Sequence, residues 1–249
     1  MITVVVILRY SEGTSALTIR NTLNMPTTIF KNININCKVQ GKGKTNVVLL
    51  HGFLESLEIW KEYSAALSKS FTVISIDLLG QGKSECIGYA HSMQEMAEAV
   101  NSVLKELDVR KAVFVGHSLG GYVTLAFAEK YPDKMKGLCM FNSTAAPDSE
   151  QKKEDRLRAL DVVKYNHEIF VKMSIPNLFA EQERYLKQIE KTLKIAIKTS
   201  KQGIMAAISG MRERKSREII LKFVPCKTYY VIGKNNTVVP YEVAIEQAK

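Results

Sequence analysis

The sequence predicts an α/β protein: a mostly parallel central sheet flanked by helices, with an all-helical cap inserted before the last strand. Three observations carry this. Short apolar runs, each followed by a segment of helical spacing, recur between residues 47 and 141, which calls for a largely parallel sheet covered on both faces. From Pro147 to Lys222 no such run occurs, and apolar stripes such as Leu186, Ile189, Leu193 and Ile197 carry the helical period. Finally, the run Ala112–Val115 leads through Gly116-His117-Ser118-Leu119-Gly120 into a helical pattern of Leu119, Val123, Leu125 and Ala126. The units expected are an extension (1–24), a core in two parts (25–146 and 224–249) and the cap (147–223).

Bulk properties narrow the function classes. A chain of 249 residues can bury one sizeable core, and 46% hydrophobic with 24% charged residues is ordinary for a soluble protein. No run has the length of a membrane span, so no membrane association is expected. Cys37, Cys86, Cys139 and Cys226 are widely spaced, which favours free thiols in a reducing compartment and a cytoplasmic location. The four histidines show no metal-ligand spacing, and neither metal nor cofactor is expected. The net charge of +10 is spread out, with residues 151–222 holding 17 Lys/Arg against 9 Asp/Glu, a local +8. It is interleaved with helical apolar positions and lacks a recognition motif, so it reads as a solvated surface rather than a specific nucleic-acid site.

Along the chain, Ile2–Leu8 is apolar and β-branched, too short for a span and without the flanks of a secretory signal. It belongs to an upstream extension that either lacks order or adds an edge strand. The alternation Ile29, Ile33, Ile35, Cys37, Val39 predicts a hairpin of two half-buried strands. Val47–Leu50 is a buried strand, followed by His51-Gly52-Phe53 and a helix from about Ile59 to Leu67; Val73–Ile76 is another, ending in the glycine-rich stretch Asp77–Ser84. Ser92 caps a helix over 93–107, with Glu95 three positions on as its box partner. Tyr131-Pro132 stops the helix after Ser118, and Gly137–Phe141 is the next strand. The cap divides into helices near 150–165, 166–174, 182–199, 202–209 and 216–222, with breaks at Ile175-Pro176-Asn177 and near Gly210. A strand at Thr228–Ile232 and a helix at Tyr241–Ala248 complete the chain.

The strand–turn–helix around Ser118 is the arrangement that exposes a nucleophile at the top of a sheet. Ser118 sits at the apex, Gly116 and Gly120 are bare because the chain passes close to itself, and the Leu119 amide is placed as an oxyanion donor. Four motifs together, His51-Gly52-Phe53, Asp77-x-x-Gly-x-Gly-x-Ser84, Gly116–Gly120 and Gly233–Pro240, resemble the α/β-hydrolase superfamily in its small serine-hydrolase, esterase-like branch with a helical cap. The resemblance implies that Ser118 attacks an ester or related acyl carbonyl of a small molecule, with the Phe53 amide as second oxyanion donor and water releasing the acyl-enzyme. His51, Gly52, His117, Gly116 and Gly120 are then supporting residues.

Two departures stand out. The position of the family's catalytic aspartate is Asn236, and such an exchange in a serine protease triad costs roughly ten-thousand-fold in turnover. Asp148, beyond Asn142-Ser143, is the alternative acid; its other role is capping the first cap helix. The family's base histidine follows the acid after one more helix and strand, and only 13 residues follow Asn236. His51, His117, His91 and His167 are poor replacements. The chain thus reads as truncated, with its last strand and helix missing, and predicts an exposed sheet edge covered by a second copy or a partner. The readings left open are an active hydrolase fragment, a haloperoxidase-like or carbon–carbon hydrolase, an acyltransferase, and a ligand-binding or interaction protein on the same scaffold.

Overall fold

The computed structural model describes residues 2–5, 27–236 and 238–248. Strands Thr27–Phe30 (β2) and Ile33–Gln40 (β3) pair antiparallel with Phe30 opposite Ile33. The turn residues Lys31 and Asn32 have φ of +47° and +67°, the two-residue geometry whose twist matches the strands it joins. Next come Asn46–Leu50 (β4), Thr72–Ile76 (β5), Ala112–His117 (β6), Met135–Phe141 (β7) and Thr228–Val231 (β8). These five are parallel, and β3 joins β5 antiparallel.

Ile2–Val5 (β1) lies parallel to β8 from Ile2 opposite Thr228 to Val5 opposite Val231, so the order is β1-β8-β7-β6-β4-β5-β3-β2. Of the two outcomes expected for the extension, these residues take the edge strand. The β8 edge that the sequence leaves open is paired by β1 over its whole length. Val6–Leu8 and the rest of the extension lie outside the described residues.

The central strands bury alternate residues on opposite faces. Val48, Leu50 and Phe114 join the larger core with helices Met93–Glu106 (α2) and Leu119–Lys130 (α3). Val47, Leu49 and Val73 pack with Trp60 of the 3-10 turn Leu57–Trp60, which leads into Lys61–Leu67 (α1). Ser92 caps α2 as expected, accepting from the Glu95 N–H at 3.1 Å. The Glu95 carboxylate is taken by Lys31 Nζ at 2.7 Å, so only half of the capping box forms. Asp77, in the loop after β5, accepts from Leu57 N–H at 2.7 Å, Lys83 N–H at 2.8 Å and Asn36 Nδ2 at 2.7 Å. That carboxylate fastens three segments beneath the strand ends.

Between β7 and β8 the structure is helical: Glu150–Ser174 (α4), Leu186–Ala196 (α5), Lys201–Arg212 (α6) and Glu218–Phe223 (α7). The break expected near 166 falls at Asn166, whose φ of −154° and ψ of 100° interrupt α4. Its Oδ1 accepts from Ile169 N–H at 3.0 Å, an N-cap for the second half. The helix expected over 182–199 starts as a 3-10 turn at Gln182–Tyr185, and Ser200 caps α6 by accepting from Gly203 N–H at 3.0 Å. Gly210 does not break the helix as expected; it lies inside α6 because a side chain there would overlap the His91 carbonyl oxygen. His91 N–H donates to Ala206 O at 2.9 Å at the same junction, which pins α6 to the core.

Candidate active site

Ser118 ends β6 and opens α3 with φ +47° and ψ −113°, a conformation that costs a non-glycine residue about 1–3 kcal/mol. The surroundings hold it there. Its N–H donates to Phe141 O at 3.0 Å, and its carbonyl accepts from Gly121 N–H at 2.9 Å and Ser143 Oγ at 2.8 Å. A Cβ on Gly116 would stand 2.5 Å from Gly120 O, and one on Gly120 would collide with the Leu50 carbonyl. The close passage expected of both glycines is thus a backbone-on-backbone contact. The Ser118 hydroxyl caps nothing and makes no hydrogen bond among the described residues.

The loop after β4 faces this apex. Leu78 N–H donates to His51 Nε2 at 3.0 Å, so the ring proton sits on Nδ1, which donates to Gly52 O at 2.7 Å. Leu54, with φ +61°, donates its N–H to Gln81 Oε1 at 3.0 Å. Among the described residues neither the Phe53 nor the Leu119 N–H has an acceptor. Both N–H groups are thus open to an external acceptor, as the donors to a developing oxyanion must be. The cap meets the loop here: the Phe170 ring, from the second half of α4, lies 6.4 Å from that of Phe53.

Beside the apex, Glu55 Oε2 accepts from Gly52 N–H at 2.5 Å and from His117 Nδ1 at 2.9 Å. Burial raises the Glu55 carboxyl, but the His117 charge and hydrogen bond, helped by His51 and the Gly52 N–H, outweigh it and hold Glu55 below the ordinary range. Burial likewise lowers His117, and Glu55 more than restores it, so the imidazole titrates above its ordinary value. The pair's stabilisation is complete between the unfolded-state values of about 4.3 and 6.5. It drains as pH falls through the lowered Glu55 value or rises through the raised His117 value. His117→Gln is therefore expected to flatten the limb of melting temperature against pH that lies above about pH 6.5; an unchanged limb refutes the pairing.

The remaining candidates lie differently. Asn236 Oδ1 accepts from Val238 and Val239 N–H, both at 2.8 Å, and so shapes its own loop. The Asp148 carboxylate is buried between Arg156 and Arg214, and Ser149, not Asp148, caps α4. His91 is buried with Nδ1 donating to Leu79 O at 3.1 Å and Nε2 accepting from Ile87 N–H at 3.2 Å, and burial lowers its pKa. His167 lies in the cap, one residue past the Asn166 break. Burial pushes the Cys37 and Cys139 thiols up to about 11, which leaves them protonated and poorly nucleophilic at neutral pH. Among the described residues no cluster of His, Cys, Asp or Glu could hold a metal, and no helix is long and apolar enough to cross a membrane.

Residues 45–249 match the alpha/beta hydrolase fold family. The chain belongs to it. A thermophilic esterase from Thermogutta terrifontis is 30% identical with a TM-score of 0.82, the match covering 90% of this chain and 84% of that one. An uncharacterized protein of Mycobacterium tuberculosis is 33% identical over 106 residues, 43% of this chain and 31% of the relative. The dihydrolipoyllysine-residue acetyltransferase component of an acetoin cleaving system from Pseudomonas putida is 37% identical over 103 residues, 41% of this chain and 28% of the relative. The chain thus matches under a third of the length of these two curated relatives.

Two residues of this alpha/beta hydrolase site escaped the sequence reading. Glu55 is a carboxylate inside the apolar stretch Phe53–Trp60, and a buried acid so close to a glycine turn signals a backbone or imidazole partner. Phe170 carried no signal beyond helical periodicity, because its partner Phe53 belongs to a distant segment.

Proposed function

We propose that the chain is a serine-nucleophile hydrolase acting on a small ester or related acyl compound. Ser118 Oγ bonds to the carbonyl carbon while the Phe53 and Leu119 N–H groups receive the oxyanion; the Oγ proton passes through water to the departing alkoxide, which leaves as the alcohol, and a second water adds to the acyl-enzyme, releasing the acid and restoring the hydroxyl. The observation that carries this is the unbonded Ser118 hydroxyl at a strained apex, together with Phe53 and Leu119 N–H groups that have no acceptor among the described residues. Likeness to the Thermogutta terrifontis esterase supports an ester as substrate. Residues 147–223 act as the cap that shapes the acyl pocket, and Phe170 over Phe53 supports that role.

The proton acceptor limits the rate. Both ring nitrogens of His51 and His91 are engaged, and the His117 ring is wedged edge-on between Trp60 and Phe141 with Nδ1 on Glu55. Acylation through these residues alone is slow, because a neutral serine hydroxyl is a weak nucleophile.

A fluorophosphonate probe tests the reading. Labelling confined to Ser118 and lost in Ser118→Ala is expected, at a rate well below that of a complete triad. A folded protein that is not labelled overturns the hydrolase reading and favours the second one, a ligand-binding protein on the same scaffold. The engaged histidines and the loop-shaping Asn236 support that alternative.

A further inference from the structure

We propose that Glu55 is a positioning residue which, through His117, clamps the loop carrying one oxyanion donor to the elbow carrying the other. The proposal rests on the hydrolase reading of Ser118. The two donors belong to different strand ends: Phe53 follows β4 and Leu119 follows β6. The β4–β6 ladder stops at Leu50 opposite Gly116, so no pairing between these two strands reaches either donor. An oxyanion hole works only if its donors stay within about half an ångström of their places. Something other than this ladder must fix one donor against the other.

Glu55 is placed to do so. Its Oε2 accepts from Gly52 N–H, one residue before Phe53, at 2.5 Å and from His117 Nδ1, two residues before Leu119, at 2.9 Å. The contact is built around Gly52: a Cβ there would stand 2.7 Å from Glu55 Oε2 and 2.8 Å from His117 Nδ1. His117 has no freedom to swing, since its ring meets Trp60 edge-on at 6.5 Å and Phe141 at 5.7 Å. Trp60 closes the 3-10 turn that begins just beyond Glu55, and Ile59 N–H to Ser56 O at 3.1 Å holds that turn. The clamp is thus a short circuit from the loop, through the carboxylate and imidazole, back to the loop. A carboxylate oxygen shared between a backbone N–H and an imidazole in a buried setting is a stiff link.

Other ionisable groups stand against the same loop. His51 donates to Gly52 O at 2.7 Å, and Asp77 Oδ1 lies 3.8 Å from His51 Nε2. The experiment must separate these from His117.

The test uses the whole chain with Glu55→Gln, His117→Gln and the double variant. Fluorophosphonate labelling of Ser118 is expected to slow at least tenfold in each single variant, with half-saturation by the probe unchanged. The double variant is expected to be no slower than the worse single one, as for groups that act as a unit. Labelling within twofold of the parent in both single variants, whatever the loss in melting temperature, overturns the clamp. The unsubstituted protein supplies an independent readout by NMR. The Gly52 amide proton is expected to titrate with the midpoint of the His117 imidazole; any other midpoint, or no movement, overturns the clamp. This arm needs no reactivity. If the parent protein is not labelled, the hydrolase reading fails, and the Gly52 resonance still decides whether the clamp exists.

Discussion

Gly120→Ala is expected to destabilise the protein by about 3 kcal/mol or more, read as a lower midpoint in urea unfolding at an unchanged slope. The new methyl would collide with the Leu50 carbonyl oxygen and stand 2.8 Å from that of His51. Overpacking costs about 1–3 kcal/mol where neighbouring side chains can rotate aside. Here the obstacle is the backbone of β4 and its loop, which can yield only if α3 lifts off the sheet. That movement would carry the Leu119 N–H away from the Phe53 N–H on the loop after β4, so activity should fall with stability. Gly137→Ala is the control, since its methyl would lie 3.3 Å from a Val113 methyl, a side-chain tip; its cost should stay within about 1 kcal/mol. Equal midpoints for the two variants would show that α3 and β4 are not locked as described.

The same elbow shows what local sequence can and cannot report. Ser118, Gly116 and Gly120 are legible because the motif is contiguous and its strain is local. Ser92 and the break at 166 are legible for a similar reason: a cap acts on residues two or three positions away. Gly210 misleads. A glycine near the end of a helical pattern fits a break as well as a close approach, and only the distant His91 carbonyl decides between them. The hydrophobic run at Ile2–Val5 indicates a strand without naming its neighbour, and the β8 edge that it covers lies at the opposite end of the sequence. Glu55 was missed because an acid's worth depends on what it faces. Its partner His117 arrives from another strand, and no spacing rule links the two.

Asp148→Asn is expected to cost about 3–5 kcal/mol, the usual penalty for breaking a buried ion pair on one side. The Asp148 side chain is 1% exposed; it bonds Arg156 through Nε and Nη2 and lies 2.5 Å from Arg214 Nη1. Asparagine keeps the shape and removes the charge, leaving the buried Arg214 guanidinium without its anion. Arg214 cannot turn to water, because it lies 4.1 Å over the Tyr122 ring of α3 and donates to Met211 O at 3.1 Å. Arg156→Met should cost less, since Arg156 is 21% exposed and its loss leaves the Asp148–Arg214 pair intact. Acid sensitivity gives a second measure. Burial raises the Asp148 carboxyl, but Arg156 and Arg214 together overcome it and hold the group below its ordinary value. Its contribution is complete above the unfolded-state value of about 3.9 and is lost as pH falls through the lowered native one. Asp148→Asn should therefore flatten the acid limb of the stability profile as well as lower its plateau. A plateau reduced by less than about 1 kcal/mol would mean that Asp148 does not anchor the root of the cap to α3.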